Sequence, residues 1–188
     1  SENVIKEWQR VQSQNGIETD LGGNLCIGFS FHIAENEKQA IDEAQLLYEQ
    51  LIDEVGVENT LIIGSSMGGY FASYLVEHFG GRAALINPAI KPYELLQDYL
   101  GENENMYNGE KFIVTEDYID ELKALDAPIK WPNHHFLMIK MQDETLDSSL
   151  AVTKYRNGPC FIESGGDHSY EGYDKRLPSI MNFAAAPY

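Results

Sequence analysis

Three residues whose types can together carry out nucleophilic acyl transfer stand in order along this chain. A serine lies in GSSMGGY (64–70), an aspartate in MQDETLD (141–147) and a histidine in SGGDHSYEGY (164–173). A serine hydroxyl is a weak nucleophile near neutral pH. The chemistry therefore needs a base to take its proton and a carboxylate to hold that base in the correct tautomer. In GSSMGGY, Gly64 and Gly68 flank a G-x-S-x-G pattern with Ser66 at its centre, and Ser65 is only the first x. Such a serine sits on a sharp turn from strand to helix, whose strained backbone calls for small neighbours. The turn would also place the N–H of Met67 at a helix N-terminus, where it can donate to an oxyanion.

Each residue has a plainer reading. A glycine-rich turn can simply pack closely or bind phosphate, although neither G-x-x-x-x-G-K-[ST] nor G-x-G-x-x-G is present. Asp143 could cap a helix or be solvated. Glu144 and Asp147 are rivals for the acid role, with Asp147 the better cap for a helix beginning near Ser148. His168 could be an ordinary loop histidine. The other histidines are placed less well: His32 precedes a polar stretch, His78 ends a helix, and His134 and His135 begin a strand on the opposite edge. No H-E-x-x-H or paired C-x-x-C occurs, and DETLD lacks the glycine and terminal glutamate of a calcium loop. Neither a metal nor a cofactor is expected.

The elements that must position these groups follow from apolar spacing. Helical periodicity marks residues 3–14, through Val4, Ile5, Trp8 and Val11, and residues 36–55. Short apolar runs mark strands at 25–31, 60–64, 83–88, 135–141 and 160–164. The run at 60–64 reads as a strand buried on both faces. Helices are expected from Gly68 to the Gly80-Gly81 stop and over 148–155. Alternating strands and helices predict a doubly wound, mostly parallel α/β sheet in one domain over 1–188. Residues 91–133 break the alternation and read as a cap-like insert of short helices and loops over the C-terminal edge. Its Tyr93, Tyr99, Tyr107 and Trp131 either line a pocket or form local core, core being the reading for at least half. Asp143 and His168 then follow the ends of two strands, on the same edge as Ser66.

Composition narrows the partners. The chain has 188 residues, 43% apolar and 23% charged, and a formal net charge of −17. That charge repels phosphate backbones, so nucleic-acid binding is not expected. It also disfavours strongly anionic substrates such as acyl-CoA and ranks carboxylic esters above thioesters. Two cysteines, Cys26 and Cys160, form no disulfide framework and fit a reducing, cytoplasmic setting. No stretch has the length of a transmembrane helix, and the opening SENVIKEWQRVQ lacks a signal-peptide core.

The sequence resembles the small bacterial esterases of the YqiA/YcfP type, within the α/β-hydrolase superfamily. The resemblance spans residues 36–183 and is carried by GSSMGGYFASYL (64–75), NPAIKPYELLQDYLGENENMYNG (87–109), DETLDSSLAVTKY (143–155) and GGDHSYEGY (165–173). NPAIKPYELL and GENENMYNG are features of this group rather than of α/β-hydrolases at large. The resemblance implies a serine hydrolase acting on small esters, with Ser66 as nucleophile, Asp143 as acid and His168 as base. It also implies an opening strand with a His-Gly-Phe loop that supplies a second oxyanion donor, and here the chain departs from the group. Residues 3–14 match the helix that normally follows that loop, and Gly28 and Phe29 of IGFSFH come too late. Either the first strand is missing from the given sequence, or it was lost in evolution, or another backbone N–H replaces its donor. Losing one oxyanion donor costs on the order of a hundred- to a thousandfold in rate, and losing a central strand exposes strand edges. The departure motivates an alternative, a weak or inactive hydrolase-fold protein that binds a small ligand or a protein partner. The intact Ser-Asp-His set argues against it.

Overall fold

The computed structural model describes residues 37–105, 109 and 111–188. The expected helix at 3–14, the strand at 25–31, the missing first strand, Tyr107 and Cys26 all lie outside the described residues. Helix α1 (Glu37–Val55) is followed by strand β1 (Leu61–Ser65), helix α2 (Met67–Phe79) and strand β2 (Arg82–Ile86). After β2 come a short helix α3 (Pro92–Leu95), strands β3 (Gly101–Glu104) and β4 (Lys111–Val114), and helix α4 (Glu116–Ala124). Strand β5 (His135–Lys140), helix α5 (Ser148–Tyr155), strand β6 (Cys160–Glu163) and helix α6 (Leu177–Ala184) complete the chain.

β1, β2, β5 and β6 lie side by side in that order, all parallel. Their C-terminal ends are in step: Ser65 pairs with Ile86, Ile86 with Met138 and Lys140 with Glu163. Each segment that leaves a strand at this edge therefore starts beside its neighbour. Strand alternation sends Ala83, Leu85, Leu137 and Ile139 to one face, against Ala72 and Val76 of α2 and Ala151 and Tyr155 of α5. It sends Ala84, Ile86, Phe136 and Met138 to the other face, against Tyr170 and Ile180. Helices on both faces explain why β2 and β5 read as unbroken apolar runs.

Leu61, Ile62 and Ile63 of β1 are half-buried, and among the described residues β1 pairs with β2. One expectation changes. The segment 91–133, expected as helices and loops, contains the antiparallel hairpin β3–β4, with Gly101 opposite Val114 and Glu104 opposite Lys111. The segment is tied to α2 by an apolar cluster of Tyr70, Ala89, Tyr93, Ile119, Leu122 and Leu125. No described helix is long and apolar enough to cross a membrane.

Candidate active site

The turn between β1 and α2 holds Ser66 at φ 54° and ψ −120°. A positive φ is uncommon for a residue with a side chain and costs on the order of 1–3 kcal/mol. The neighbouring chain holds it there. Ser66 N–H donates to Ile86 O at 3.0 Å, and Ser66 O accepts from Gly69 N–H at 3.0 Å and Ala89 N–H at 2.9 Å. The glycines divide the steric work differently from the G-x-S-x-G reading. A β-carbon on Gly64 would stand 2.2 Å from Gly68 O, and one on Gly69 would stand 2.7 Å from Pro88 Cβ. Among the described residues, a β-carbon on Gly68 would meet nothing within 4 Å. Close approach thus requires glycine at 64 and 69, and at 68 only the main chain matters. Met67 is the first residue of α2, so its N–H has no acceptor within the helix.

Asp143 and His168 leave the ends of β5 and β6 and meet over this turn. His168 Nδ1 is 2.8 Å from Asp143 Oδ2, and His168 Nε2 is 3.0 Å from Ser66 Oγ. Asp143 Oδ1 accepts from Thr145 N–H at 2.8 Å and Leu146 N–H at 2.9 Å. The carboxylate is fully buried and the imidazole a quarter exposed. A buried, twice-bonded carboxylate on Nδ1 selects the tautomer that carries its proton there and leaves Nε2 free to accept the serine proton.

The rival acids have other partners. Glu144 Oε2 accepts the backbone N–H of His168 at 3.1 Å, which steadies the same loop without touching the imidazole nitrogens. Asp147 caps α5, accepting from Ser149 N–H at 2.9 Å. His78 Nδ1 lies 2.9 Å from Tyr74 O. His134 and His135 sit at the start of β5, the opposite edge of the sheet, and burial pushes both imidazoles below their ordinary pKa. Ser66, Asp143 and His168 are therefore brought together, and Glu144, Asp147, His78, His134 and His135 are not, while His32 lies outside the described residues. Among the described residues, no group of three or more His, Cys, Asp or Glu side chains is placed to hold a metal ion.

Beneath the histidine loop, Glu163 accepts from Arg176 at 2.6 Å and from the Tyr170 hydroxyl at 2.8 Å, and pairs with Lys140 at 3.0 Å. The Arg176 guanidinium holds the Glu163 carboxyl down to about 2. Lys140 Nζ also lies 4.7 Å from the centre of the Tyr170 ring. Of the aromatic residues in the 91–133 segment, Tyr93 is local core and donates to Asp126 at 2.7 Å. Tyr99 and Trp131 are 58% and 54% exposed, so they are not core.

Sequence reasoning passed over Asn87. It directly follows β2, has φ 39° and is fully buried. An asparagine before proline after an apolar run is a turn signal, but it does not say which loops the side chain reaches.

The sequence profile of a family described as an uncharacterised protein family (UPF0227) matches residues 29–185. Among solved structures, the chain is similar to a provisionally named hydrolase from Agrobacterium vitis S4. The TM-score is 0.60 at 19% identity, over 95% of this chain and 81% of that one. It is also similar to the esterase domain of a Rhodothermus marinus protein, with TM-score 0.53 at 15% identity, over 77% of this chain and 67% of that one. At these identities the likeness establishes the fold alone, and that fold is the mostly parallel α/β sheet with helices on its faces expected from the sequence.

Proposed function

The chain belongs to the uncharacterised protein family UPF0227, and we propose that it is a serine hydrolase cleaving small carboxylic esters through an acyl-enzyme. The observation that carries this reading is the unbroken relay from Asp143 to His168 to Ser66, at 2.8 and 3.0 Å. Ser66 Oγ attacks the ester carbonyl while His168 Nε2 takes its proton. Asp143 stabilises the imidazolium that results. Met67 N–H donates to the oxyanion of the tetrahedral intermediate, where a preorganised donor acts most strongly. Collapse breaks the bond to the leaving alcohol, which departs with the His168 proton. A water molecule then gives a proton to His168 and its oxygen to the acyl carbon, and the carboxylic acid leaves as Ser66 recovers its hydrogen. The described residues work as one domain, with the 91–133 insert as a cap beside the site. Small, neutral esters suit the acidic chain better than anionic ones.

The test is labelling with a fluorophosphonate probe followed by peptide mapping. The probe requires an activated serine and no knowledge of the substrate. Labelling at Ser66 is expected, lost in Ser66→Ala and kept in Ser65→Ala. A well-folded protein that takes no label and cleaves no short-chain aryl ester would overturn the reading. A ligand-binding or partner-binding protein on a hydrolase fold would then be left.

A further inference from the structure

We infer that Asn87 is a positioning residue of this site, setting the distance between the imidazole of His168 and the hydroxyl of Ser66. The inference rests on the hydrolase reading for its kinetic consequences, but not for its geometry. The Asn87 amide nitrogen donates to Asp167 O at 3.0 Å and to His168 O at 3.1 Å. Its side-chain oxygen accepts Lys140 N–H at 2.9 Å, and its own backbone N–H donates to Met138 O at 2.9 Å. One buried side chain thus joins the end of β2, the end of β5 and the histidine itself. Lys140 in turn begins the turn that carries the acid, since Asp143 N–H donates to Lys140 O at 3.3 Å.

The third member is held by the residues on either side. Ile86 O accepts Ser66 N–H and Ala89 N–H donates to Ser66 O. Residues 86–89 are therefore clamped to the serine through the main chain, while the Asn87 side chain reaches the other two loops.

Few side chains meet these demands. The φ of 39° favours glycine, asparagine and aspartate. The two carbonyls need two N–H donors and Lys140 N–H needs an acceptor, and a primary amide supplies both. Glycine keeps the backbone and removes the bridge. Aspartate keeps the backbone and the acceptor but turns an acceptor toward two carbonyls. A displacement of about 1 Å between reacting groups can cost on the order of a hundredfold in rate.

The test compares Asn87→Gly and Asn87→Asp with Val76→Ala, a buried truncation nine residues along α2 from the site end. Each purified full chain is followed by its rate of fluorophosphonate labelling, by kcat and KM on a short aryl ester, and by thermal melting. The low-field proton resonance of His168 Nδ1–H is recorded as well. Both Asn87 variants are expected to label and turn over on the order of ten- to a hundredfold more slowly, with KM nearly unchanged. Val76→Ala, matched to them in melting temperature, should keep its rate. The low-field proton should be sharp in the unmutated protein and broadened or lost in Asn87→Gly. Asn87 variants that label at the unmutated rate would overturn the inference, as would a loss equalled by Val76→Ala. If the unmutated protein takes no label and cleaves no short-chain aryl ester, the hydrolase reading fails and the proton decides this one separately. A resonance sharp in the unmutated protein and lost in Asn87→Gly supports it; one present in both, or in neither, overturns it. A variant that fails to fold is replaced by the other, since either alone removes the donor pair.

Discussion

The main chain of Gly68 crosses Gly64 so closely that a β-carbon at residue 64 would lie 2.2 Å from the Gly68 carbonyl oxygen. The turn under Ser66 is shut by this contact of backbone with backbone, and no side-chain rotation can relieve it. Gly64→Ala is therefore expected to destabilise the fold by more than about 2 kcal/mol. Gly68→Ala meets open space among the described residues and should be neutral, or stabilising by up to about 1 kcal/mol through helix propensity. Gly69→Ala, pressed 2.7 Å from Pro88 Cβ, should fall between them. Urea unfolding of the three variants checks the order, and a loss in Gly68→Ala equal to that in Gly64→Ala would contradict it.

Asp143 and Glu144 are adjacent, yet only Asp143 reaches the imidazole. In Asp143→Asn the oxygen can keep the two backbone N–H bonds, which turns the amide N–H₂ toward His168 Nδ1 and selects the wrong tautomer. A fall in kcat on the order of a thousandfold or more is expected, with little change in melting. Glu144→Gln can still accept His168 N–H through a neutral oxygen and should lose no more than about fivefold. Initial rates on a short aryl ester measure both. Comparable losses in the two variants would mean that the acid is shared between them.

The site was legible in the sequence where it depends on local chain chemistry. Uninterrupted apolar runs bounded by glycine, proline and polar residues mark β1, β2, β5 and β6. Parallel strands in succession then put the residues after 65, 140 and 163 on one edge, which is enough to draw Ser66, Asp143 and His168 together. What escaped depends on distant partners. Nothing local distinguishes Gly68 from Gly69, because the atom that Gly69 must clear belongs to Pro88. Asn87 matters through carbonyls 80 and 81 residues away. The hairpin β3–β4 escaped for another reason. Gly-Glu-Asn-Glu pairs with Lys-Phe-Ile-Val at an exposed surface, so neither strand carries the alternation that burial of one face imposes. Tyr99 and Trp131 look like core by residue type, yet both stand more than half exposed.

Glu77 links α2 to the chain entering β5. Its fully buried carboxylate accepts Lys130 N–H at 2.9 Å and Trp131 N–H at 3.2 Å, with His135 Nδ1 3.8 Å away. Glu77→Ala leaves both N–H groups without their acceptor and opens a void. A cost of about 2–4 kcal/mol is expected. Glu77→Gln keeps one strong acceptor and should cost about 1 kcal/mol. Denaturant midpoints at pH 7 check the pair, and a neutral Glu77→Ala would show that the N–H groups find other acceptors.

Acid should weaken the fold in two separable stages. His134 and His135 have folded-state pKa values below their ordinary 6.5, mainly through burial. The unfolded chain therefore takes up these protons first, and stability declines as pH falls below 6.5. Glu163 has its folded-state value lowered from 4.5 to about 2, chiefly by Arg176. Its contribution is complete above 4.5 and is lost as pH falls from there toward 2, again because the unfolded chain protonates first. Glu163→Gln should start from a lower melting temperature at pH 7 and show a shallower decline only in the second window. His135→Gln should flatten only the first. Melting curves from pH 8 to about pH 2.5 separate the two stages, and a Glu163→Gln profile parallel to the unmutated one below pH 4.5 would remove Glu163 from the account of acid sensitivity.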